Sequence, residues 1–144
     1  MICARAELAA LLMKAARGAG VPLALAEDLY QMADYVSVED VALLAKDIEE
    51  GGAQSLALTL ALDDLACGRE VDLSHVLATP MAAARGWVLC DGVRSDGEPA
   101  AQKGPLDIPA TVLDALGTLA AQTYVPDSAA SRARGAGAGA IDND

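Results

Sequence analysis

The apolar residues of this chain are almost all aliphatic and mostly small. Hydrophobic residues make up 53% of the 144, yet aromatic residues only 3%, with no Phe and a single Trp, Trp87. A core assembled from Leu, Val and Ala reaches interior density only where elements approach closely, and Ala and Leu are also strong helix formers. Close helix packing is the natural solution. The expected fold class is α+β, mainly α, with an N-terminal helical set, a small β-hairpin near residues 86–98, and a C-terminal helix leading into an extended tail. The length fits one domain with its own core; a globular unit over 1–126 and a Gly/Ala/Ser-rich tail over 127–144 are the expected parts.

Leu8, Leu11, Leu12, Ala15 and Ala16 recur at helical spacing, and Gly18 and Gly20 end that helix before Val21-Pro22. Pro22 suits the first turn of a second helix with the stripe Leu25, Leu29, Met32 and Val36. Glu27 and Asp28 are expected near the favourable N-terminal end of its dipole. Ser37 and Asp40 form a capping pair for a third helix carrying Val38, Val41, Leu44, Ala45 and Ile48, closed by Gly51-Gly52. The run Leu56–Leu62 fits period two and period 3.6 equally. Its lack of Val and Ile, and its continuation through Asp63-Asp64 to Cys67-Gly68, favour helix. Ser74 is the expected cap of a short helix reaching Ala84, bent or broken at Pro80.

After Gly86 the texture changes. Trp87–Cys90 followed by Asp91-Gly92 reads as a strand entering a turn, with Asp96-Gly97 a second turn signal. Residues 95–109 mix Gly, Pro and charge and read as an exposed loop. Pro109 then opens a last helix that buries Val112, Leu113, Leu116, Leu119 and Ala120, and the chain is expected to run extended beyond Gln122.

A net charge of −11 opposes attraction to a phosphate backbone, so no nucleic-acid partner is expected. The apolar runs are far shorter than the roughly 20 residues a bilayer-spanning helix needs, so neither is a membrane. The N-terminus, with Arg5, Glu7, Lys14 and Arg17, reads as mature helix rather than a targeting signal. Cys3, Cys67 and Cys90 are odd in number and unpaired in spacing, which argues against disulfides or a zinc site and suits a cytoplasmic location.

Two clusters set the ends of the chain apart. Lys14-Ala-Ala-Arg-Gly-Ala-Gly20 with Pro22 and Ala26-Glu27 lies near the start. Leu119-Ala-Ala-Gln-Thr-Tyr-Val-Pro126, Ser128-Ala-Ala-Ser-Arg132 and Gly135-Ala-Gly-Ala-Gly-Ala-Ile-Asp-Asn-Asp144 close the chain. Together they resemble a bacterial family of unknown function. The resemblance covers both ends and no motif between Gly52 and Ser95. It implies a cytoplasmic bacterial protein whose tail belongs to the fold, and it brings no activity, cofactor or catalytic residue with it.

Candidate chemistry is sparse. His75 beside Ser74 and near Asp72 has the residue types of a triad, but sequence neighbours do not supply triad geometry, and a surface or capping histidine is expected. Asp63-Asp64 reads as a solvated face rather than a cation site. Cys67 and Cys90 are expected to pack as small buried hydrophobes. The tail offers more. Gly135, Gly137 and Gly139 free the backbone to bring N–H groups to an oxyanion, with Arg132, Ser128 and Ser131 as donors.

The same tail also reads as an arm docking on a neighbouring subunit, anchored by Tyr124, Val125 and Ile141, or as a disordered terminus. The phosphate-loop Gly-Lys-Ser/Thr ending is absent, and no cofactor or metal is expected. The favoured expectation is a non-catalytic binding or assembly protein with the tail as docking arm, in a homo-oligomer. The alternative is a small enzyme or ligand sensor that holds an anionic metabolite through the tail; whether the chain is an enzyme stays open.

Overall fold

The computed structural model describes residues 1–123. In chain order the elements are β1 (Ile2–Cys3), α1 (Arg5–Gly18), α2 (Leu23–Met32), α3 (Val38–Glu49), α4 (Ala53–Ala66), α5 (Ala78–Ala84), β2 (Val88–Cys90), β3 (Val93–Ser95), β4 (Leu106–Asp107) and α6 (Ala110–Ala121). The class is mainly α with two small antiparallel ribbons, as the aliphatic composition implies.

Helix α1 is the centre of the molecule. Its face Leu8, Leu12, Ala15 and Ala16 is fully buried between α2 and α6. The small residues of that face let the neighbours come close. At Gly18 the approach is closest, since a Cβ there would overlap the Leu119 carbonyl oxygen of α6. Gly20, with φ of 83°, then turns the chain toward α2. The Gly18-Ala-Gly20 signature thus serves helix contact at one glycine and chain reversal at the other.

Pro22 is the N-cap of α2 and Leu25, Leu29 and Met32 its buried stripe. Val36 keeps its buried place from the linker that follows the helix. Asp28 lies in the middle of α2 rather than at its favourable end. Burial pushes its carboxyl above the ordinary value, with Asp63 and Glu27 acting in the same sense and Arg85 opposing them. For α3 the expected capping box forms: Ser37 Oγ accepts from Asp40 N–H at 3.1 Å and Asp40 Oδ2 from Ser37 N–H at 2.9 Å.

The ambiguous run around Leu56–Leu62 is helical. Its N-cap, Gly52, has no side chain, and the cap comes from α3 instead. Asp47 accepts from Gln54 N–H, Ser55 N–H and Ser55 Oγ at 2.9, 2.9 and 2.6 Å. This buried carboxylate therefore satisfies the orphan donors of the next helix across the Gly51-Gly52 turn.

Two expectations near α5 need correction. Ser74 does not cap the helix: its N–H donates to Asp72 Oδ1 at 2.9 Å in a local turn, and α5 starts at Ala78. Pro80 neither bends nor breaks the helix, because it falls in the first turn, where a missing N–H leaves no bond unmade.

The hairpin expected near 86–98 is β2–β3, in register Val88 to Ser95, Leu89 to Arg94 and Cys90 to Val93. Asp91 (φ 49°) and Gly92 (φ 76°) are both left-handed, as a type I′ turn requires. The stretch 95–109 is not wholly an exposed loop. Its last part forms β4, paired with β1 (Ile2 to Asp107, Cys3 to Leu106), and Leu106 and Ile108 are buried. The amino terminus of Met1 donates to Asp107 Oδ1 at 2.9 Å and to the Ile108 carbonyl at 2.7 Å. On α6 only Leu116 is fully enclosed, with Val112, Leu113, Leu119 and Ala120 half-buried against the core.

Candidate functional site

A concavity lies where four separate segments meet. The α2–α3 linker brings Tyr35 and Ser37, the first turn of α3 brings Asp40, and the stretch before α5 brings Ser74 and His75. The hairpin turn adds Asp91 and Gly92, and the loop after the hairpin adds Gln102. The cavity holds about 610 Å³. A second chamber of about 300 Å³ shares the walls Tyr35, Thr79, Pro80 and Gln102 and continues between Ala83, Trp87, Leu89, Glu98, Pro99 and Ala100. Polar groups therefore line one end of a continuous groove and mostly apolar groups the other.

Arg5, at the start of α1, holds the loop wall in place. Its guanidinium donates to the Gly104 carbonyl at 3.0 Å, the Ala33 carbonyl at 2.7 Å, the Val36 carbonyl at 3.2 Å and Gln102 Oε1 at 3.2 Å. Gln102 in turn donates its backbone N–H to the Asp34 carbonyl at 2.8 Å. One arginine thus ties the end of α2 to the loop that forms the groove wall. The fork of five donors makes this linkage possible, which a lysine could not reproduce.

His75 lies at the junction of the groove with two smaller surface hollows. Its Nδ1 accepts from Leu77 N–H at 3.1 Å. That bond closes the local turn ahead of α5 and uses Nδ1 as an acceptor, which leaves Nε2 as the ring's N–H donor. Asp72 is not its orienting acid: the Ser74 hydroxyl and backbone N–H hold that carboxyl below the usual carboxylate range. His75 is a partly exposed residue of a local turn, and no nucleophile–base–acid series forms there.

Asp63 and Asp64 face water, each with an ion pair: Arg85 to Asp63 at 2.7 Å and Arg69 to Asp64 at 2.6 Å. The cysteine expectation fails. Cys67 and Cys90 are exposed, and only Cys3 is buried. Cys67 follows the last turn of α4, and Cys90 points outward from a two-stranded ribbon that has one covered face. The tail candidates Ser128, Ser131, Arg132, Gly135, Gly137 and Gly139 lie outside the described residues.

Trp87 stacks with two guanidinium groups, Arg94 at 4.1 Å and Arg85 at 5.6 Å from the ring centroid. Sequence reading found Asp40 only as a cap and Asp91 only as a turn residue. Tyr35, Thr79, Glu98 and Gln102 carried no local signal, because the groove assembles from segments up to 67 positions apart, as the Gln102–Tyr35 hydrogen bond at 3.4 Å shows.

No group of three or more His, Cys, Asp or Glu side chains is placed to hold a metal ion among the described residues. No helix among them is long and apolar enough to cross a membrane. No family model matches the chain, and no curated protein or solved structure is similar to it.

Proposed function

We propose that this chain is a non-catalytic binding protein that holds a small ligand in the groove between the α2–α3 linker, α5 and the hairpin. The observation that carries this reading is the convergence of polar side chains from four segments on one cavity in which no nucleophile meets a general base. Ser37 Oγ accepts from the Asp40 N–H, and the His75 Nδ1 lone pair is taken by the Leu77 N–H and so is not available as a base toward a hydroxyl.

The 127–144 tail serves as a docking arm on a second copy or a partner. An anion held by the tail is the weaker reading, since no lysine or arginine among the described residues lines the groove, so Arg132 and Arg134 would have to supply the charge. Membership of the bacterial family that both chain ends resemble belongs to the same proposal. So does a cytoplasmic location, which the three free cysteines suit.

The groove is tested by titrating a fragment panel into isotope-labelled protein. Shift changes should cluster on Tyr35, Ser37, Ser74 and Gly92 and disappear in Thr79→Phe, which fills the shared wall from an exposed position. Shifts scattered over the surface, or unchanged by Thr79→Phe, would reject it. The arm is tested by ending the chain after Pro126. Loss of oligomer mass or of thermal stability supports docking, and identical behaviour removes it.

A further inference from the structure

The sequence clusters from the two chain ends meet on one side of the molecule. Thr123, the last described residue, is a wall of a surface hollow of about 240 Å³ whose other walls are Met13, Lys14 and Arg17 of α1. The end of α6 is closed there: the Thr123 N–H and hydroxyl both donate to the Ala120 carbonyl, at 3.2 and 2.7 Å. Met13 offers a half-buried apolar floor packed against the core. Lys14 and Arg17 stand exposed beside it, and neither enters an ion pair among the described residues, although the whole chain carries a net charge of −11. Two cations and a thioether thus flank the point from which the chain continues into Tyr124-Val-Pro-Asp127.

We propose that this hollow seats the chain's own segment Tyr124–Asp127, with the Tyr124 ring on Met13 and the Asp127 carboxylate on the cations of Lys14 and Arg17. Length, charge and stiffness select this occupant. Tyr124 is bonded to a wall of the hollow, so no long loop has to close to bring its ring there. Asp127 lies four residues past Thr123, a span of at most about 14 Å when extended. Lys14 and Arg17 are about 4.5 Å apart along the helix axis, so one short segment reaches both. Pro126 fixes its own φ and holds the preceding residue to extended conformations, which lowers the entropy lost on seating. Thioether on aromatic ring and cation on aromatic ring are both favourable contacts, and the segment supplies ring and negative charge in the order the hollow needs them. A free anion finds the cations but leaves Met13 uncovered, and it lacks the effective concentration of a tethered group. A second copy's segment enters only if the two hollows abut within the same short reach. The inference is independent of what the arm docks on: it fixes where the tail is rooted.

The full-length protein is labelled at its methionine methyl groups and examined by NMR, with Met13, one of four methionines, assigned through Met13→Leu. A nuclear Overhauser cross-peak should connect the Met13 methyl to the Tyr124 ring. Tyr124→Ala should move the Met13 resonance and leave that of fully buried Met32 in place, whereas Tyr124→Phe should keep the contact. Asp127→Lys should weaken the cross-peak, and Lys14→Glu/Arg17→Glu in the same chain should restore it. Ending the chain after Pro126 leaves Tyr124 present, so the cross-peak separates failure of the arm from failure of its root. A Met13 resonance identical in the parent, Tyr124→Ala and Asp127→Lys would overturn the proposal. A cross-peak that fades on dilution, or that arises between differently labelled copies, would assign the segment to a second copy and overturn it too. Inorganic phosphate shifting Met13 in the parent as strongly as in Tyr124→Ala would mark an open anion site, with the same result.

Discussion

At Asp47 a single buried carboxylate closes the start of α4, although it belongs to α3. Removing it leaves the Gln54 and Ser55 N–H groups without their acceptor, and charge-assisted bonds of this kind contribute about 1.5–3 kcal/mol. Asp47→Ala should lower unfolding free energy by about that amount, with the extra amide exchange concentrated at residues 53–56. Denaturant titration with exchange mass spectrometry reads both; uniform exchange across the chain would show that Asp47 is not the cap.

The cysteines divide in the same local way. Burial, reinforced by Glu7, pushes the Cys3 thiol up from its ordinary value, with the amino terminus opposing, while Cys67 and Cys90 face water. Two thiols should react promptly with a disulfide reagent and the third only on unfolding. A count of three fast thiols would contradict the burial of Cys3. At Asp28 the raised carboxyl gives a pH signature. The folded protein binds the proton more tightly than the unfolded chain, so stability falls as pH rises from the ordinary carboxylate range through the raised folded value. Asp28→Asn should therefore be more stable than the parent at neutral pH, and the difference should vanish once both states are protonated. A difference that grows on acidification would reverse the sign.

Among the elements, the contact of α1 with α6 is decided by one missing side chain. Helix propensity alone favours alanine over Gly18 by up to about 1 kcal/mol. The overlap of a Cβ with the Leu119 carbonyl acts against it, and overpacking of that kind costs about 1–3 kcal/mol. The clash is with backbone, so it wins. Gly18→Ala should destabilise the protein, and a gain in melting temperature would show that α6 can move aside. The same contact gives the two chain-end signatures a common place: Met13, Lys14 and Arg17 of α1 share a hollow with Thr123 just after α6. For α3 the cap was legible from Ser37 and Asp40, whereas Ser74 misled, since a serine two residues after an aspartate joins a local turn as readily as it starts a helix.

Across the whole molecule α1 connects everything: its buried face meets α2, α3 and α6, and its first residue, Arg5, holds the groove loop. Leu12→Ala should cost about 2–5 kcal/mol, the range for a buried leucine that leaves a cavity. Helical circular dichroism and Trp87 fluorescence should still report one transition, because the hairpin packs on α5 and α5 on α2. Two separated transitions would show that the hairpin end folds independently. The tail candidates lie outside the described residues and are tested by truncation.

What the sequence alone determined was whatever depends on neighbours within a turn or two. The aliphatic composition, the period of Leu8–Ala16, the Ser37–Asp40 box, the Asp91-Gly92 turn and the helix through Leu56–Leu62 each rest on local propensity, capping or steric limits. What only the tertiary structure decided depends on pairs distant along the chain. Ile2–Cys3 becomes a strand because Leu106–Asp107 lies beside it, Asp47 becomes a cap because the glycine turn folds α4 against it, and Gly18 is required because of Leu119. The groove is of this second kind throughout. Tyr35, Asp40, His75, Asp91, Glu98 and Gln102 have no shared spacing, and they meet only because helix packing brings four connecting segments to one side of α5.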